Sequence, residues 1–390
     1  MTNKGIEARI QYELDALARG AQLRTLEEIR GINLCSNDYL ALSDDPVLKA
    51  ATAESVARAA HVSSTGSRLL SGHSAEWARL EAEFAQFAGT EAALFFSSGY
   101  AANMGLLSAL LKPGDAVFSD ALNHASLIDG MRLSGAQKVV YPHGDLKALD
   151  AMLGRHGAGT GSRVIVSEST FSMDGDAPAI AELVALARKH GAELILDEAH
   201  ATGVCGPEGR GRAAAAGCER ECLAIVHTCG KALAGMGAFV CSSETVKQYL
   251  VNRARSFLFS TALPPYFAAQ IRAALEIARA AEDRREHLRA IARELRELLA
   301  RHAFDTREGE SPIVPVIVGD NGAAVGYAEF LQGRGFAVRA IRPPTVPAGT
   351  SRLRLSLTAR VTRGDVCRLV DSLVDARDAL RSEAALAANG

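Results

Sequence analysis

The chain has 390 residues, 48% hydrophobic and 23% charged, with a formal net charge of −2. That length predicts two or three domains around a large core, and so even a charge leaves no electrostatic footprint for nucleic acid or an anionic membrane surface. No apolar run approaches the roughly 18 residues that a spanning helix requires. Seven scattered cysteines suit reduced thiols in a cytoplasm better than a disulfide framework. Cys218 and Cys222 lack a second ligand pair at metal spacing, so no metal site is expected. The beginning, MTNKGIEARIQYELDALARG, is polar and amphipathic, unlike a signal peptide.

Residues 1–45 read as an arm. A helical pattern (Ile6, Ile10, Leu14, Leu17) leads through Leu23 and Arg24 to a short strand, Ile32–Cys35, and then SNDYLAL, with Asn37 and Asp38 at a turn. From 46 to 280, apolar strands alternate with helical patterns such as Ile180–His190. The strands are Ala92–Phe96, Ala116–Ser119, Lys138–Tyr141, Arg163–Ser167, Leu194–Asp197, Ala224–Thr228 and Ala238–Cys241. Such alternation predicts an α/β large domain with a mainly parallel, seven-stranded sheet covered on both faces. ARAAHVSSTGSRLLSG, beginning at Ala57, reads as a loop. Residues 265–303 read as helical throughout, with Leu288, Ile291, Leu295 and Leu298 as a core-facing stripe. Residues 281–390 read as a smaller α/β domain: strand Ile313–Val318, helix Ala323–Gly333, strands Ala337–Ile341 and Leu353–Leu357, helix Arg363–Ala379. Pro343, Pro344 and Pro347 stiffen a loop that presents Thr345. Arg354 lies within a strand and needs a partner, either a substrate carboxylate or an edge ion pair.

The chemistry concentrates at two strand ends. The apolar run Glu193–Leu196 delivers Asp197, Glu198 and His200, and Leu223–Val226 delivers His227, Thr228 and Lys231. Parallel sheets bind ligands beyond the carboxyl ends of their strands, so an acid, an imidazole, a hydroxyl and a lysine would share one crevice. That set suits pyridoxal phosphate (PLP), with Lys231 as its Schiff-base lysine and Asp197 against the pyridinium nitrogen. In FFSSGYAAN, Gly99 permits a tight turn into a helix starting near Ala101. Its free N–H groups could hold a phosphate, with hydroxyls from Ser97, Ser98 and Thr228. His124 stands at another strand-to-helix junction, where an imidazole either stacks on a pyridine ring or simply begins a helix. ILDEAH has a rival reading, since helicase-type NTPases hold Mg²⁺ with such a strand end. That reading needs an upstream G-x-x-x-x-G-K-[ST] loop, and the GK pair Gly230–Lys231 lies downstream, followed by Ala232.

Taken in order, SNDYLAL, TGSRLLSG, SSGYAAN, LNHASLIDG, FSMDGD, LDEAHATG, HTCGKALAGMGAF, FSTALPP and IRPPTVPAGTSRLRLSL span nearly the whole chain. They resemble the α-oxoamine synthase family of fold-type I PLP enzymes, which join an amino acid to an acyl thioester with loss of CO₂. The resemblance implies a homodimer with active sites at the subunit interface. By position it implies that Lys231 carries the cofactor, Asp197 faces the ring nitrogen, His200 bonds the ring hydroxyl and His124 stacks over the ring. Ser172 would contact the cofactor, while Ser98, Gly99, Tyr100 and Thr228 would cradle its phosphate. Ser260 and Thr261 would reach the phosphate held by the other subunit. Asn37 and Arg354 would hold the amino-acid carboxylate, Thr345 would lie near the acyl substrate, and Arg24 matches a substrate-contacting arginine in the arm. DEAHATG and IRPPTVP…GTSRLRLSLT most resemble the branch that uses L-alanine with pimeloyl-CoA or a pimeloyl-carrier protein. Glycine with acetyl-CoA is the nearest alternative. Two departures stand out. HSAEW is one residue shorter than the common SGTHSxH form, so His73 is given no role. Cys229 precedes Gly230 but spares the Thr228–Lys231 spacing.

Overall fold

The computed structural model describes residues 5–156 and 161–389, and they cluster into two compact units. The larger holds Asp38–Ser172 and Ala177–Glu286. The smaller holds the residues up to Asn37, Met173–Asp176 and those from His287 onward.

The larger unit is built on seven strands in the order Ala92–Phe96, Ala238–Ser242, Ala224–Thr228, Glu193–Asp197, Arg163–Glu168, Ala116–Asp120, Gln137–Tyr141. Ala238–Ser242 runs antiparallel to both neighbours and the other pairings are parallel. The central strands are buried along their length, which is why they read as unbroken apolar runs, whereas the edge strand Gln137–Tyr141 is mostly open. One face packs on the helices Gly99–Leu110 and Ala125–Ser134 through Leu106, Leu107, Leu127 and Met131. The other packs on Leu149, Leu153, Leu183 and Val184.

Alternation along a strand sends neighbouring side chains to opposite faces, and at Asp197–Glu198 this separates two acids. Glu198 is fully buried and accepts from Ser169 Oγ (2.7 Å) and the backbone N–H groups of Arg212 (3.0 Å) and Ala213 (2.8 Å). It ties the loop before Arg212–Ala215 to the sheet. Gly211 sits at φ +106° beneath it, where a Cβ would lie 2.8 Å from the carboxyl group.

Residues 265–303 are two helices, Tyr266–Ala280 and Glu282–Arg301, rather than one. The break is bridged locally. Arg285, 1% exposed, turns back to donate to the carbonyls of Ala278 (2.5 Å) and Arg279 (3.1 Å), taking the place of a continuing helical turn. In the second helix Leu299, not Leu298, completes the buried stripe with Leu288, Ile291 and Leu295.

The smaller unit has a three-stranded antiparallel sheet, Ala340–Ile341, Ser351–Ser356, Ile313–Gly319, with helices Asn321–Gly333 and Arg363–Asn389. The expected strand Ala337–Ile341 divides. Phe336–Ala337 pairs in parallel with Ile32–Asn33, and Ala340–Ile341 pairs with Ser351–Ser356. The helix Ile6–Arg19 forms as expected and buries none of its residues within the unit.

Glu198→Ala would leave a hydroxyl and two backbone N–H groups unpaired in the core. It should lower stability by about 3 kcal/mol, read as a lower denaturant midpoint at unchanged slope.

Candidate active site

Beyond the carboxyl ends of the central strands lies a cleft of about 380 Å³ whose lining includes Lys231, Asp197, His200, His124 and Thr228. Lys231 is carried by the turn between the antiparallel strands Ala224–Thr228 and Ala238–Ser242. That turn is pinned by Cys229 N–H to Gly237 O, Gly235 N–H to Cys229 O and Ala234 N–H to Lys231 O, each 2.9 Å. Gly237 closes it at φ +84°, where a Cβ would meet the Phe95 ring at 2.1 Å. Cys229 is fully buried and burial pushes its thiol pKa far up, so it packs rather than reacts.

Asp197 is 4% exposed and firmly held: Ala199 N–H donates to Oδ1 (2.8 Å) and Asn103 Nδ2 to Oδ2 (2.6 Å). Asn103 also donates to Ser126 Oγ (2.9 Å), and Ser126 Oγ lies 2.8 Å from His124 Nδ1. The backbone N–H of Ser126 donates to the same Nδ1 (3.2 Å), so that nitrogen accepts and a neutral His124 carries its proton on Nε2. Desolvation pulls the His124 pKa below its ordinary 6.5, opposed by the Asp197 charge and reinforced by Lys231, so the neutral form prevails at neutral pH. His200, 5% exposed, has Nδ1 against the Tyr39 hydroxyl at 2.6 Å.

Gly99 begins the helix Gly99–Leu110 at the cleft, and a Cβ there would press on Thr228 Cγ2 at 2.8 Å. Ser98 caps that helix, accepting from Ala101 N–H (3.0 Å), and leaves first-turn N–H groups for an anion. Thr228 Oγ1 donates to Ala199 O (3.3 Å), while Tyr100 lines the cleft with its hydroxyl on Asp129.

Other expected residues lie elsewhere. His227 points through the opposite face of the sheet, 1% exposed, with Nδ1 on Thr202 Oγ1 (3.0 Å) and its ring against Phe84. Burial holds its pKa at about 3, making it a neutral core histidine. Ser172 is half-buried outside the residues lining the cleft. Ser260 and Thr261 flank a separate small cavity with Arg68 and Trp77. Arg24, Asn37, Thr345 and Arg354 belong to the smaller unit and form two couples. Arg354 Nη2 donates to Asn37 Oδ1 (2.9 Å), and Arg24 Nη2 to Thr345 Oγ1 (3.3 Å). Arg354 is 8% exposed on its strand, so Asn37 supplies the partner that a buried arginine requires.

Asn103, Ser126, Tyr39 and Glu168 escaped the sequence reading. Asn103 and Tyr39 sit inside motifs chosen for their neighbours, and their one signal is a polar group in an apolar stretch. Two buried polar atoms, Asn103 Oδ1 and Glu168 Oε1, belong to residues lining the cleft and have no partner among the described residues, as expected where a polar group binds.

A lysine on a turn, a clamped carboxylate beside it, two imidazoles and a helix N-terminus define a fold-type I PLP enzyme. The chain belongs to the aminotransferase class I and II family, whose model matches residues 29–373. It is 48% identical over 354 residues to an 8-amino-7-oxononanoate synthase of Burkholderia cenocepacia (strain HI2424), covering 89% of this chain and 86% of that protein. It is also 48% identical over 342 residues to the enzyme of the same name from Geobacter sulfurreducens, covering 87% of each. Among solved structures, a serine palmitoyltransferase from S. paucimobilis with bound PLP–myriocin superposes with TM-score 0.89 at 30% identity over 96% of this chain and 98% of that one. An 8-amino-7-oxononanoate synthase from Francisella tularensis superposes with TM-score 0.78 at 29% identity over 90% and 99%. The helicase reading falls, because Glu198 is committed to holding a loop on the far face of the sheet.

Asn103→Ala removes a donor from a charged carboxylate. It should weaken PLP binding by about 10- to 100-fold, measured by equilibrium titration of cofactor-free protein.

Proposed function

We propose that this chain catalyses the 8-amino-7-oxononanoate synthase reaction. L-alanine condenses with a pimeloyl thioester, carried on coenzyme A or on a carrier protein, and CO₂ is lost, a step of biotin biosynthesis. The observation that carries this reading is the 48% identity over 89% of the chain to proteins of that name. The cleft supplies residues suited to the chemistry.

When bound, pyridoxal phosphate supplies an electron sink that stabilises negative charge at the amino acid's Cα. Lys231 would hold the cofactor, and its amine is the base that would take the Cα proton. Asp197, held by its two donors, would face the ring nitrogen and favour its protonated form. His200, with Nδ1 on the Tyr39 hydroxyl, would turn Nε2 to the ring hydroxyl. His124 stacks over the ring as a neutral imidazole and offers Nε2–H to the substrate. Ser98, Gly99, Tyr100 and Thr228 receive the phosphate, and Ser172 contacts the cofactor. In a homodimer, Ser260 and Thr261 of one subunit reach the phosphate bound in the other. By the family resemblance, Asn37 and Arg354 would grip the amino-acid carboxylate, Thr345 would lie near the acyl substrate, and Arg24 would contact substrate. The setting is the cytoplasm. No helix among the described residues is long and apolar enough to cross a membrane.

The deciding experiment is thiol release by the purified protein in two pairings, L-alanine with pimeloyl-CoA and glycine with acetyl-CoA. Release chiefly with the first is expected, and release chiefly with the second moves the function to the sister reaction. Lys231→Ala should abolish turnover and the absorbance of covalently held PLP while the fold survives by circular dichroism. Arg354→Ala should raise the KM for alanine by roughly 10- to 100-fold with little change in the KM for the thioester. Equal rises in both would remove Arg354 from the carboxylate.

A further inference from the structure

Glu168 takes no part in the chemistry described so far. It ends the strand Arg163–Glu168 in register with Asp197 on the adjoining parallel strand, so the two acids stand side by side on one face of the sheet. Glu168 is 2% exposed and lines the cleft, and its Oε1 has no partner among the described residues. Its backbone N–H donates to Oδ1 of Asn123 (3.2 Å), the residue before His124. Glu168 therefore braces the junction at which His124 enters the cleft.

Two neighbouring carboxyl groups in a dry site do not both ionise, and the geometry decides which one does. Asp197 accepts from Ala199 N–H and from Asn103 Nδ2. Glu168 leaves Oε1 without a partner among the described residues. The charged groups facing it are Asp197, Lys231 and Asp120. Burial above all, then the Asp197 charge, holds its pKa well above the carboxylate range, with Lys231 and the His124 N–H pulling the other way and Asp120 adding to the rise.

We propose that Glu168 is a positioning residue that works as a neutral carboxylic acid. It leaves Asp197 as the anion opposite the ring nitrogen and turns its unpartnered oxygen, as an O–H donor, to the group bound in the cleft. The functional meaning rests on the cofactor reading above, but the first test does not.

In cofactor-free protein near neutral pH, the infrared difference between wild type and Glu168→Gln should contain the carbonyl band of a protonated carboxyl. Carboxylate bands in its place overturn the proposal. Should Glu168→Gln fail to accumulate, Glu198→Gln isolates the Glu168 band, since Glu198 is the other buried glutamate with a raised pKa among the described residues. In that protein the band should persist near neutral pH, and its absence overturns the proposal. After loading with PLP, Glu168→Gln should keep the wild-type pH midpoint of the cofactor's absorbance change, because no charge has been removed. A midpoint moved by about one pH unit or more overturns the proposal. Wild-type protein that takes up no PLP would sink the cofactor reading and leave the infrared result standing.

Discussion

The cleft depends on one buried negative charge. Asp197 sits at a strand end almost out of water, where an unpaired carboxylate would either cost several kcal/mol or take up a proton. Two donors prevent this, one from the turn that follows the strand and one from the helix Gly99–Leu110. The second donor, Asn103, extends the same network through Ser126 to His124. An anion held to bind one edge of a ring is thus hydrogen-bonded, through two side chains, to the imidazole proposed to cover its face.

Strand pleating sorts the remaining polar groups. Asp197 and Thr228 face the cleft, while Glu198 and His227 face the opposite layer. Each side meets its own satisfaction requirement. Glu198 spends its acceptors on a loop, and His227 stays neutral among Phe84 and Phe87. In the run Asp197–His200, Asp197, Ala199 and His200 line the cleft and Glu198 alone serves the scaffold.

The antiparallel strand Ala238–Ser242 performs a second sorting. Because it returns directly beside Ala224–Thr228, the connection is a short turn rather than a crossover helix, and Lys231 is presented on a rigid loop at the mouth of the sheet. Gly237 permits the return, since the Phe95 ring occupies the space a Cβ would need. A parallel connection would have required a dozen or more residues and would have carried the lysine away from Asp197.

Much of this was legible from residue order alone. Apolar runs of five or six residues separated by amphipathic stretches determine a doubly covered parallel sheet, because strands buried on both faces tolerate few polar side chains. Strand ends rich in Asp, His, Thr and Lys then mark where the ligand goes, and the motif series marked the family. What the tertiary structure alone decided are the partners that act across long sequence separations. Asn103 reaches Asp197 over 94 positions, Tyr39 reaches His200 over 161, and Asn37 reaches Arg354 over 317. The division of Ala337–Ile341 has the same origin, since a change of strand partner overrides local propensity. Local periodicity records which face a side chain takes, and only the folded chain determines what it meets there.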